Sequence, residues 1–76
     1  MDYRKTKEYK EMDAMKAIDI IELEENPSEN EMFSAWQYLV DAGMVNQLQG
    51  FYGRTAQDLI ESEVIQPRGY YKDDTL

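Results

Sequence analysis

The sequence predicts a small all-α domain of three helices spanning residues 13–66, with a flexible arm over residues 1–12 and a flexible tail over residues 67–76. Three observations carry that prediction. Apolar residues recur with the spacing of a helix face in three separate stretches, and Pro or Gly stands at each break between them. No stretch alternates apolar and polar residues over the length of a strand.

The first dozen residues are polar apart from isolated aromatics such as Tyr3 and Tyr9, and they lack the periodicity that commits a helix to a core. The first helix starts at Asp13, an N-cap residue type, and places Ala14, Met15, Ile18, Ile21 and Leu23 near one face. Asn26-Pro27-Ser28 ends it, since Pro lacks an N–H and pushes the preceding residue out of the α region. Ser28 and Glu31 have the spacing of a capping box; Asn26 as cap with Pro27 at the first helical position is the competing start.

The second helix has the most regular stripe: Met32, Ala35, Trp36, Leu39 and Val40 follow i, i+3, i+4, i+7, i+8, which assigns Trp36 to the core. Gly43 stands where a left-handed residue closes a helix, and Met44 and Val45 then fold back onto the stripe. Residues 46–53, with Gly50 and Gly53 around Phe51 and Tyr52, read as an ordered connector or loose helical lead-in. Thr55 then caps a third helix along Ala56, Leu59, Ile60 and Val64, which ends before Pro67.

Composition removes whole classes of chemistry. There is no Cys and no His, so thiolate nucleophiles, a histidine base and Cys/His zinc sites are all excluded, as are the disulfide and metal staples of many short domains. The charged N-terminal stretch has no apolar run that would act as a signal peptide or membrane anchor, so the chain is expected to stay in the compartment where it is made. Sixteen acidic against eight basic residues give a net charge of −8, which repels nucleic acid and anionic membranes. The acidity is concentrated: residues 13–34 hold seven acids and one Lys.

The stretches Phe33 to Gly43 (FSAWQYLVDAG), Leu48-Gln49-Gly50, Tyr52 to Ala56 (YGRTA) and Leu59-Ile60-Glu61 resemble a family of short, uncharacterised proteins encoded mainly by tailed bacteriophages. The resemblance runs from Ile18 to Ile65. It implies a viral origin and a working life in the cytoplasm of an infected bacterium, and it supplies no activity to inherit. Relatives in that family tend to carry Gly where this chain has Glu63 and an apolar residue where it has Pro27.

Function is then expected to be binding, with no catalytic residues, no cofactor and no metal. The acids lack the loop spacing of a calcium site, and the glycines around Phe51 lack the Lys-Ser/Thr ending of a phosphate loop. The expected partner is a host bacterial protein, inhibited or redirected by steric occupation. The expected contact residues are Phe33 and Tyr38, which lie off the second helix's stripe, with Phe51, Tyr52 and Arg54, and an acidic edge of Glu22, Glu25 and Glu29. Arg54 is free to pair with Asp41, Asp58 or a partner carboxylate. Two other readings stand beside this one: a homo-oligomeric structural protein, and a nucleic-acid mimic whose acids imitate phosphates.

Overall fold

The computed structural model describes residues 2–48 and 50–68, and these form an all-helical fold with no strand among them. A 3-10 turn, Tyr3–Lys5, precedes four helices: α1 Lys7–Lys10, α2 Ala14–Glu22, α3 Glu29–Asp41 and α4 Gly50–Glu61. The predicted first, second and third helices are α2, α3 and α4.

The caps explain where the helices begin and end. Asp13 accepts the Lys16 N–H at the start of α2 (2.8 Å), and Ser28 and Glu31 form the reciprocal capping box at the start of α3. Pro27 therefore stays outside α3, and the competing start at Asn26 is not used. Gly43 has φ +74 and closes α3 with the Gly43 N–H on Val40 O and the Met44 N–H on Leu39 O, a Schellman motif. The same pattern closes α4, with Glu63 N–H on Ile60 O and Val64 N–H on Leu59 O, although the left-handed position is Glu63 at φ 62.

Three expectations need correction. Residues 2–12 are not a loose arm: they hold the 3-10 turn and α1, and bury Tyr3, Thr6 and Met12. The face of α2 is also rotated from the predicted one, since Ala17 and Ile20 are buried with Ile21 packed beside them, while Met15 and Leu23 point out. Apolar residues occur nearly all round α2, so periodicity alone does not fix its phase. Finally, α4 begins at Gly50 and not after a Thr55 cap. Tyr52 and Ala56 are both buried at i, i+4 spacing. Burying Tyr52 contributes about 2–3 kcal/mol, enough to offset about 1 kcal/mol for each helical glycine. From Gly69 onward the predicted tail lies outside the described residues.

α3 is the central element. Ser34, Ala35, Trp36 and Gln37 are all buried, and four consecutive residues take a helix once round its axis. On the apolar side, Leu39 and Val40 join the core and the Trp36 ring meets the Tyr52 ring of α4 at 5.5 Å. The polar side is covered by the N-terminal segment. Thr6 donates its hydroxyl to Tyr3 O (2.7 Å), so in the 2.8 Å Thr6–Ser34 contact the proton comes from Ser34.

Farther along that side, Gln37 makes a reciprocal pair with the Gln66 backbone: its Nε2 donates to Gln66 O and its Oε1 accepts the Gln66 N–H, both at 2.8 Å. Asp41 accepts from Arg4 Nε and Nη2 (2.7 and 2.6 Å), from the Tyr9 hydroxyl (2.7 Å) and from Gln37 Nε2 (3.2 Å). Arg4 also donates to Gln66 Oε1 (2.6 Å) and Pro67 O (3.2 Å). Its hydrogen bond to Asp41 is the main reason its guanidinium holds its proton more tightly than an ordinary arginine, with partial burial opposing.

Arg4→Met removes the charge partner of Asp41 and the anchors on Gln66 and Pro67 in the segment after α4. It should destabilise the fold by about 2–3 kcal/mol in urea unfolding followed by Trp36 fluorescence. Glu63→Gly relieves an L-residue held at positive φ and should add about 1 kcal/mol, raising Tm by roughly 5 °C in a calorimetric scan.

Candidate protein-binding surface

The polar groups of the interior are spent on the fold. Among the described residues no buried side-chain nitrogen or oxygen lacks a hydrogen-bond partner. The surface is where unmet binding capacity lies, and the expected contact residues divide there into three groups.

Glu22, Glu25, Glu29 and Arg54 are exposed, and Phe51 is 38% exposed. Phe33 and Tyr38 are half-buried because the N-terminal segment covers them: Phe33 packs on Tyr3 with ring centroids 5.5 Å apart, and Tyr38 on Tyr9 at 5.9 Å. Tyr52, expected to face a partner, is 1% exposed and belongs to the core. Its ring sits between Trp36 and Phe51, and its hydroxyl donates to the Glu22 carboxylate at the end of α2. Asp41, offered above as a partner for Arg54, is held by Arg4.

The Tyr52–Glu22 bond ties α4 to α2 and also fixes Glu22, so the structure brings Glu22, Tyr52 and Phe51 together. Burial, reinforced by that bond and by the Glu22 charge, pushes the Tyr52 phenol from 10.0 up to about 12.

Two surface residues were missed by the sequence reading. Met15 is 74% exposed and Leu23 72% exposed. At 100° per residue Met15, Asp19 and Glu22 of α2 and Leu23 at its C-cap fall within an arc of about 100°, turned away from Ala17 and Ile20, with about 12 Å of rise between Met15 and Leu23. Asp19 and Glu22 are exposed, as are Glu24 and Glu25 just beyond the helix. The outer face of α2 is thus an apolar pair flanked by acids. The i, i+4, i+7, i+8 spacing of these four residues was visible in the sequence, but only the phase of α2 against α3 reveals that it faces water.

Among the described residues no group of three or more acidic side chains is arranged to hold a metal ion, and no helix is long and apolar enough to cross a membrane.

Fold and surface together define a small helical domain built round one enclosed helix, with an acidic and apolar helix face turned outward. The chain belongs to the family described as a domain of unknown function (DUF7417), which matches residues 11–75. That span includes α2, α3 and α4; the 3-10 turn and α1 precede it. No curated protein and no solved structure matches the chain.

The Tyr52 environment predicts a pH dependence with a definite sign. Between pH 10 and 12 the unfolded chain releases this proton while the folded chain keeps it, so unfolding free energy falls as pH rises through that window. Urea melts from pH 9 to 11.5 should show a steeper decline for the wild type than for Tyr52→Phe. Parallel declines in the two proteins would reject this environment for Tyr52.

Proposed function

We propose that the chain is a small interaction protein of a tailed bacteriophage. In this reading it acts in the host bacterial cytoplasm, where it binds a host protein and inhibits or redirects it by occupying its surface. One observation carries the reading: Met15 and Leu23 stand exposed on one arc of α2 while the core is completed without them. Burying two such side chains against a partner contributes about 1.5–3 kcal/mol each, a sizeable part of a micromolar affinity. The resemblance of Phe33–Gly43 and Tyr52–Ala56 to short phage proteins supports the viral setting. The net charge of −8 argues for a protein target over nucleic acid or anionic lipid.

A second reading has its own support. Asp19, Glu22, Glu24, Glu25 and Glu29 are all exposed, which suits a mimic of a nucleic-acid backbone that occupies a nucleic-acid-binding host protein. The two readings differ in which side chains carry the contact.

The test is capture from the host bacterium with a tagged wild type and with the Met15→Ser/Leu23→Ser double variant. Because both residues are exposed, the double variant should keep its Tm within about 2 °C. The expected result is one host protein enriched by the wild type and recovered at least tenfold less by the variant. Equal recovery would rule out the apolar pair and favour the acids, and enrichment of nothing above an untagged control would end the interaction reading.

A further inference from the structure

The outer face of α2 has an electrostatic oddity that the fold does not explain. The C-terminal end of a helix carries partial negative charge from its unpaired carbonyls, and cations there are stabilising. The last turn of α2 has no basic residue. It ends instead on Glu22, with Glu24 and Glu25 following, all exposed. Glu22 receives a neutral phenol hydroxyl, so its charge is hydrogen-bonded but not cancelled. Leu23 stands 72% exposed in the middle of these acids. Lys16, the one cation between residues 11 and 53, lies near the other end of α2, beside Met15. Negative potential therefore increases along the face from Met15 to Leu23.

We infer that this face docks a basic amphipathic helix of a protein partner, an inference that rests on the interaction reading above. Two apolar knobs about two turns apart, Met15 in the first turn of α2 and Leu23 at its C-cap, match the ridge-and-groove spacing of a second helix. The partner helix places apolar residues over Met15 and Leu23. Lys or Arg side chains flanking its Leu23 contact lie against Asp19, Glu22, Glu24 and Glu25. Those cations supply what the C-terminal end of α2 lacks, and the polarity of the acids sets the direction in which the partner lies. Apolar contact provides affinity, while the acids provide selection and on-rate.

The test uses the full chain, isotope-labelled for NMR, and synthetic 18-residue peptides. The first carries Leu on one helical face flanked by Lys; the second has Glu in place of every Lys; the third is the Lys peptide scrambled so that its Leu residues no longer share a face. The expected result is binding of the Lys peptide alone, with shifts concentrated at Met15, Asp19 and Leu23. Binding should weaken at least tenfold between 50 and 500 mM NaCl, since exposed charges are then screened. Met15→Ser/Leu23→Ser and Glu24→Lys/Glu25→Lys should each weaken it at least tenfold without changing Tm by more than about 2 °C.

Equal binding of the scrambled peptide would reduce the contact to bulk charge and overturn the inference. Equal binding of the Glu peptide, or shifts confined to Phe51 and Arg54, would overturn it too. A dimer seen by sedimentation that the Met15→Ser/Leu23→Ser variant dissociates, with no peptide bound, would assign the face to a second copy of this chain. If host capture depends on Met15 and Leu23 while the Lys peptide does not bind, the interaction reading stands and the basic-helix partner is wrong.

Discussion

The enclosure of the middle turn of α3, Ser34 to Gln37, is the constraint on which the rest of the structure depends. A helix whose consecutive residues Ser34 to Gln37 are all buried cannot leave its polar stripe to water, so each polar group on it requires a partner from another element. Thr6 serves Ser34, the Gln66 backbone serves Gln37, and Arg4 with Tyr9 serves Asp41. These bonds draw both ends of the described chain onto the same helix: Arg4 touches Gln66 and Pro67, more than sixty residues away in sequence. With no Cys for a disulfide, this polar junction is what closes the chain, and Ile65, 1% exposed, anchors the returning segment beside it.

The same constraint explains which parts of the fold the sequence reveals. Local signals were legible: Asp13, the Ser28–Glu31 box and Gly43 act at their own positions and need no tertiary knowledge. The N-terminal cover was not, because Ser34, Gln37 and Asp41 at i, i+3, i+7 resemble a solvated stripe until the partners that satisfy them are known. Residues 2–12 could be recognised as a cover only by matching Arg4 and Thr6 to that stripe across roughly thirty residues. The start of α4 was hidden for a related reason. Two glycines signal a break locally, but the burial of Tyr52 is a tertiary gain that outweighs them.

The candidate site follows that division. Glu22, Glu25 and Glu29 lie outside as their chemistry dictates, and Phe51 and Arg54 remain accessible. Tyr52 was misassigned because an aromatic beside glycines looks like a loop residue, whereas its ring fills the space between Trp36 and Phe51. Met15 and Leu23 were misassigned in the opposite sense. α2 carries apolar residues on every side, and the choice of which side is buried belongs to the Ala17–Ile20 contact with the core, not to α2 itself.

Separation of the two jobs follows from this geometry. Most groups that hold the domain together point inward to α3, whereas Met15 and Leu23 lie outside the core and Asp19 is exposed; Glu22 alone serves both sides, through its bond from Tyr52. α2 has nine residues, too short to be stable alone, and it keeps its shape because α3 supports its inner face. The partner helix proposed for the outer face would meet a ridge already held in place, so little ordering entropy would oppose its docking. The family match beginning at residue 11 adds a further distinction. Both the α2 face and the polar stripe of α3 fall inside the matched span, while Arg4, Thr6 and Tyr9, which satisfy that stripe, precede it. The N-terminal cover thus satisfies the stripe of α3 from outside the matched span and leaves Met15 and Leu23 exposed.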